Sequence, residues 1–207
     1  MITLLISPLL LLACRPDPGL PDYPTREPWV ITGDDFYDDP YAEGEERLSV
    51  GVFYESVATE SYPIDDSTTH FYVYSDTFSV TASDDRIEGY ASDRINRGTQ
   101  AWWGGGVHWD TPRDLSDWDT LHVAVQTTTM TDWSIGLTGG GVESRVDVTD
   151  YGLVADGDWH VLDIPTADFD GADLRSVTVA LLLVGASGNT GDNLLIDDVY
   201  YTRGGAR

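Results

Sequence analysis

The side chains best suited to hold a polyhydroxylated ligand lie in one run, Gln100-Ala101-Trp102-Trp103-Gly104-Gly105-Gly106-Val107-His108-Trp109-Asp110. In a pleated strand, successive side chains point to opposite faces. Ala101, Trp103, Val107 and Trp109 then face a core, while Gln100, Trp102, Gly104, Gly106, His108 and Asp110 face away from it. This second set joins one broad aromatic to two missing side chains and three hydrogen-bonding groups. A sugar ring needs that combination: a flat apolar surface to stack on, room to approach, and partners for its hydroxyls. The next predicted strand repeats the pattern with His122 and Gln126 on its polar side, and Arg145 is on the polar side of a later one. These residues are expected to share one polar face, floored by small residues, with carbohydrate as its ligand. The same residues also fit a solvated outer face with Trp102 packed down, or a triple-glycine bulge that reverses the register.

A second candidate is the strand Leu194-Leu195-Ile196-Asp197-Asp198-Val199-Tyr200, in which each face carries one carboxylate among apolar neighbours. A carboxylate turned toward a core must be paired, hydrogen-bonded or coordinated, because burying it alone is costly. Asp197 is therefore read either as a cation ligand or as an acceptor for the backbone amides of a neighbouring loop. Signals of catalysis are missing. There is no Gly-x-Ser-x-Gly elbow, no His-Glu-x-x-His pair and no glycine loop to cradle phosphate before a helix. His70, His108, His122 and His160 keep no metal-ligand spacing, and lysine is absent, which excludes Schiff-base chemistry. With 36 acids in the chain, carboxylate pairs at a glycosidase separation arise by chance. The chain is expected not to be an enzyme.

Residues Leu4 to Ala13 form an apolar run too short to span a bilayer and of the length of a signal-peptide core. The run ends Leu11-Leu12-Ala13-Cys14, which resembles the lipobox of bacterial lipoproteins and implies lipidation of Cys14, the only cysteine. An odd thiol in an exported protein calls for such an explanation. Arg15 to Pro28 then holds five of the ten prolines and reads as an extended tether. The predicted organisation is a signal peptide over 1–13, a lipidated cysteine and tether over 14–32, and one domain over 33–203. The formal net charge of −25 excludes nucleic acid as a partner, and it repels anionic lipid, so membrane attachment rests on the lipid at Cys14. The expected location is the cell envelope, at the outer membrane or cell surface rather than the inner membrane. Asp outnumbers Glu by 28 to 8, which favours turns and oxygen-rich cation sites over helices.

Beyond the tether, apolar residues alternate with period two in short runs separated by Gly, Asp, Asn and Thr, the pattern of an all-β antiparallel sandwich. Strands are predicted at Leu48–Val57, His70–Ala82, Thr99–Asp110, Thr120–Thr129, Trp133–Thr138, Val142–Thr149, Trp159–Ile164, Val177–Val184 and Leu194–Thr202, with one helical turn at Thr166–Phe169. The segments Asp114-Leu115-Ser116-Asp117-Trp118-Asp119-Thr120-Leu121-His122-Val123-Ala124-Val125, Asp156-Gly157-Asp158-Trp159-His160-Val161-Leu162-Asp163-Ile164-Pro165 and Asn193-Leu194-Leu195-Ile196-Asp197-Asp198-Val199-Tyr200-Tyr201 resemble the galactose-binding-like jelly-roll superfamily, home of many carbohydrate-binding modules. The resemblance implies a jelly roll. It also implies a structural calcium (Ca2+) at Asp197, helped by Asp34 or Asp35. The expectation is a non-catalytic envelope lipoprotein that binds carbohydrate, against the alternative of a structural or protein-interaction lipoprotein with no glycan ligand.

Overall fold

The computed structural model describes residues 44–51, 53–55, 58–186 and 191–204; Cys14, the predicted signal peptide and tether, Asp34 and Asp35 lie outside them. Twelve strands are present among the described residues: β1 Glu45–Val50, β2 Glu60–Tyr62, β3 Thr69–Val73, β4 Phe78–Ser83, β5 Ser92–Arg97, β6 Trp103–Arg113, β7 Thr120–Thr127, β8 Trp133–Gly139, β9 Val142–Asp147, β10 Trp159–Pro165, β11 Val177–Gly185 and β12 Asn193–Gly204. Single turns of 3-10 helix are the only helical elements described, including the one predicted after Pro165, at Thr166–Asp168.

The strands form two sheets. One has five strands in the order β3-β6-β11-β8-β9; the other has seven, with β10-β7-β12-β1-β2 in line and β5 and β4 continuing beside the first half of β12. Pairing is antiparallel apart from β1 with β2. Alternation explains the core: Trp103, Val107, Ile135, Leu137, Leu181 and Leu183 from the smaller sheet meet Leu48, Ile95, Leu121, Val123, Leu162, Ile164 and Ile196 from the larger. Their burial supplies the main driving force for the fold. Trp103 contacts Phe78 of the opposite sheet edge-on, ring centroids 5.8 Å apart, and the Tyr201 hydroxyl crosses the sandwich to donate to the Ala180 carbonyl at 2.6 Å.

Three local departures from the predicted strands matter for the site. The His70–Ala82 run is two strands in different sheets, broken at Tyr74–Asp76 by a turn in which Ser75 and Asp76 are left-handed. β5 was not predicted at all. In β12, Asp198 is left-handed and the pairing with β7 shifts between Asp197 and Tyr200, so Val199 and Tyr201 face the core and Tyr200 faces out. Regular alternation along β12, which would put Asp198 on one face with Ile196 and Tyr200, is broken by this bulge.

Candidate functional site

The outer face of the five-stranded sheet is built in crosswise rows that follow from strand register. The central row runs Tyr72, Gly106, Leu182, Gly136, Arg145 across β3, β6, β11, β8 and β9. On one side lies the row His70, His108, Val179, Thr138, Glu143, and on the other Gly104, Val184, Ser134, Asp147. Glycines flank Leu182 on both sides, so few side chains rise from the middle of the sheet, a shallow trough whose floor is close-packed, with Leu182 itself only 2% exposed.

Rings stand along one rim. Tyr72 is 47% exposed and Trp102 39%, both with apolar surface open to a ligand. Trp102 and Tyr74 come together over Gly104, where an added Cβ would lie 3.3 Å from each ring. Thr77 pins the Tyr74 turn to β6, its hydroxyl accepting from the Gly104 amide at 3.0 Å. Gln100 supports the same turn, donating from its side-chain amide to the Ser75 carbonyl at 2.8 Å.

The rest of the face is polar. Tyr74 Oη lies 2.6 Å from His108 Nε2, and Tyr72 meets the His108 ring edge-on at 5.0 Å. His70 stacks on Tyr72 at 5.4 Å and places Nε2 3.2 Å from Asp110 Oδ1. On the far rim Arg145 pairs with Glu143 at 3.0 Å, and its stem lies over Gly136, where an added Cβ would sit 2.7 Å from Arg145 Cγ. Burial, with the charge of Glu143 behind it, pushes the Tyr74 phenol up to about 12. Burial, and then the neighbouring His70, hold the His108 imidazole below its ordinary value.

Of the residues singled out in the sequence, Gln100, Trp102, His108, Asp110 and Arg145 are thus brought together on or beside this face. The triple glycine keeps register, with Gly104, Gly105 and Gly106 paired in order to Val184, Leu183 and Leu182. His122 and Gln126 are not part of it, which corrects the expectation of a single shared face. They sit on β7, in the other sheet, and point out of the opposite side of the sandwich. The connection Asp114–Asp119 carries the chain across, with the Leu115 amide bonded to the Leu174 carbonyl ahead of β11 and the Asp119 amide to the Thr202 carbonyl of β12. His122 is satisfied there by Asp163 Oδ1 at 2.7 Å from Nδ1 and Thr202 Oγ1 at 2.8 Å from Nε2. That hydrogen bond holds the Asp163 carboxyl below the usual carboxylate range.

Asp197 is 1% exposed on the outer side of β12 under the loop at Ile87-Glu88. Its Oδ2 accepts from the amides of Ile87 at 2.9 Å and Glu88 at 3.0 Å, and its Oδ1 from the amide of Asp198 at 2.9 Å. Calcium takes six to eight oxygen ligands, and among the described residues no three His, Cys, Asp or Glu side chains converge on a point. Asp197 thus accepts from three backbone amides, and Asp34 and Asp35, its expected calcium partners, lie outside the described residues.

Tyr72, Tyr74, Glu143 and the Leu182 floor were not singled out beforehand. A signal for the tyrosines existed: in Thr69-His70-Phe71-Tyr72-Val73-Tyr74 the residues His70, Tyr72 and Tyr74 alternate with Phe71 and Val73.

No protein-family model matches the chain, and neither does any curated protein. Solved structures do match. A family 11 carbohydrate-binding module of a cellulosomal cellulase of Clostridium thermocellum superposes with a TM-score of 0.55 and 13% identity, over 79% of this chain and 97% of the module. The two share a β-sandwich fold. A family 11 module from Clostridium thermocellum in complex with a β-1,3-1,4-mixed-linked tetrasaccharide superposes with a TM-score of 0.52, at 14% identity over 79% and 98%. A family 30 module of another cellulase of that organism matches with a TM-score of 0.50 and 19% identity, over 64% of this chain and 86% of the module. At such identities the carbohydrate-binding-module likeness is one of fold, and the ligand must be argued from the face itself.

Proposed function

We propose that the protein is a non-catalytic cell-envelope lipoprotein that binds a carbohydrate chain in the trough on its five-stranded sheet. The observation that carries this reading is the central row, in which Tyr72 and Arg145 stand at opposite edges of a Gly-Leu-Gly floor. Rings of Tyr72 and Trp102 supply stacking surface, and His70, Asp110, Ser134, Thr138 and the Glu143-Arg145 pair supply hydrogen-bonding partners. The exposure of Trp102 favours this reading over a purely structural lipoprotein, which has no use for an uncovered indole. Known modules of the same fold are consistent with it, one of them in complex with a tetrasaccharide. The negative surface and the self-neutralised Glu143-Arg145 pair favour an uncharged polymer over a polyanion.

The lipid anchor is Cys14 in this proposal, and the proline-rich tether of fourteen residues, at ~3.1 Å each, lifts the domain roughly 43 Å from the membrane. A glycan array probed with the purified protein, with and without calcium, tests the binding role and any contribution of a cation. Retention of at least one neutral polysaccharide, lost in Trp102→Ala, is the expected result; equal retention by that variant removes this site. Labelling with a clickable fatty acid is expected for the native protein and not for Cys14→Ser.

A further inference from the structure

We infer that His108 is the positioning residue of the trough: it sets the hydrogen-bonding sense of the Tyr74 hydroxyl and so makes carbohydrate binding depend on pH. This rests on the binding role proposed above and adds a residue function to it. His108 is half-buried in the middle of β6, walled by Tyr72 edge-on at 5.0 Å and Tyr74 edge-on at 5.7 Å, with its Nε2 2.6 Å from the Tyr74 oxygen. From β3 the titratable groups that face it are His70 and Tyr72, and from the turn after β3, Tyr74; from β11 its neighbour is Val179, which does not titrate. Asp110, on its own strand, is engaged by His70. The charge of Glu143, paired with Arg145 on the far rim, reaches Tyr74.

A phenol has one proton to give. In the inferred state the neutral imidazole is the Nδ1–H tautomer; the phenolic proton then goes to the Nε2 lone pair, and the Tyr74 oxygen faces the trough as an acceptor. Imidazolium carries its own proton on Nε2. It then donates to the Tyr74 oxygen, and the phenolic proton must swing outward as a donor. One proton on His108 therefore inverts what the tyrosine offers a sugar hydroxyl. A chain lying over Tyr72 and Tyr74 also removes water from the imidazole and disfavours the cation further. The bound protein thus takes up a proton less readily than the free one. By linkage, affinity is full above the free-state His108 pKa, which lies below 6.5, and falls as pH drops through it.

Two measurements test the inference. In the free protein, nitrogen-15 spectra should show an unprotonated Nε2 on His108 at about pH 7.5, and the Tyr74 ring-carbon shift should follow the His108 midpoint on acidification. Binding is then followed with soluble β-1,3-1,4-mixed-linked glucan as the probe. The native protein should lose about fivefold or more in affinity as the pH is lowered from about 7.5 to about one unit below the His108 midpoint found in the free protein. His108→Gln keeps an acceptor for Tyr74 and cannot titrate, so it should bind within a few-fold of native at the higher pH and show a flat profile. His108→Phe should be weaker at the higher pH and equally flat, with near-ultraviolet circular dichroism confirming that each variant is folded. A protonated Nε2 at about pH 7.5 overturns the inference, as does binding that is pH-independent or whose fall persists in His108→Gln. Absence of glucan binding at every pH takes down the binding role for this polymer, and the inference with it; pH-flat binding takes down the inference alone.

Discussion

The two outer faces of the sandwich use the same kinds of residue to opposite ends. On the seven-stranded side, Tyr200 is covered by His122, stacked at 4.7 Å and 17°, and by the Arg47 guanidinium at 4.8 Å, with the Tyr54 ring 4.7 Å away. Arg47 in turn donates to the Tyr54 hydroxyl at 3.3 Å and to Glu45 at 2.6 Å. Tyrosine, histidine, arginine and carboxylate are all present, and they satisfy one another. On the five-stranded side Tyr72 and Trp102 stand beside glycines and a leucine; His70 stacks on one side of Tyr72, and both rings keep a large part of their surface exposed. The difference is one of supply: a face binds when its aromatic surface and polar atoms are left over after the sheet has met its own needs.

The filled side should therefore answer to mutation in stability, and the open side in affinity. The largest effect is expected at Asp197. Replacing it by alanine leaves the amides of Ile87, Glu88 and Asp198 without their acceptor in a buried place, at a cost of about 3 kcal/mol in chemical denaturation. Burial is the main cause that raises the Asp197 carboxyl, to about 8 against 3.8 for the free side chain, with Glu88's charge assisting and the amides opposing. The folded state thus favours its protonated form. Its stabilising contribution is full below about pH 4 and is lost as pH rises through about 8, so the gap between native protein and Asp197→Ala should narrow over that range. Carbohydrate affinity at a fixed pH should not change. A loss of affinity in a folded Asp197→Ala would mean that the two faces are coupled, and the comparison would fail.

The second effect is the reverse. The double variant Tyr72→Ala/Trp102→Ala should lose about 2 kcal/mol of binding free energy, some thirtyfold, while its denaturation midpoint stays put. Both rings are exposed, so their removal opens no cavity. If the midpoint falls and affinity holds, these rings are core and the trough is not a site.

How much of this was legible in the sequence follows from what alternation can and cannot say. It places Trp103, Val107 and Trp109 inward and Trp102 and His108 outward, because a pleat fixes those directions whatever the tertiary fold. It says which side of a strand a residue is on, but not which sheet the strand joins. His122 and Gln126 therefore looked like neighbours of His108, although the Asp114–Asp119 crossing puts a whole sandwich between them. The turn at Tyr74–Asp76 hid for another reason. Its left-handed positions are Ser75 and Asp76, with no glycine or proline to mark a break, so two strands read as one. β5, Ser-Asp-Arg-Ile-Asn-Arg, carries a single apolar side chain and was invisible to a hydrophobic pattern. The Asp198 bulge likewise occupies a left-handed position with a residue that tolerates it.

A third test returns to the filled face. His122→Ala removes the partner of both Asp163 and Thr202 and uncovers one side of Tyr200. Asp163 is exposed and can turn to water, so the loss of stability should be about 1 kcal/mol, smaller than at Asp197. Affinity should again be unchanged. Had His122 shared a face with His108, as its sequence pattern suggested, the variant would weaken binding; glycan affinity by isothermal calorimetry decides between these outcomes.

The smallest effect separates a residue that touches ligand from one that holds the trough in shape. Gln100 donates to the Ser75 carbonyl in the turn that carries Tyr74, and its own carbonyl accepts from Arg97 at 2.6 Å. The side-chain bond is exposed and worth about 0.5 to 1 kcal/mol at most. Gln100→Ala keeps the backbone contact to Arg97 and frees the turn, so Tyr74 samples more positions and affinity should drop by a few-fold. If Gln100 acted on ligand directly, the same loss would appear in a background lacking the Tyr74 ring. If it acts through the turn, Gln100→Ala should add nothing to Tyr74→Ala, and a double-mutant cycle reads that difference as a coupling close to the whole effect of the single change.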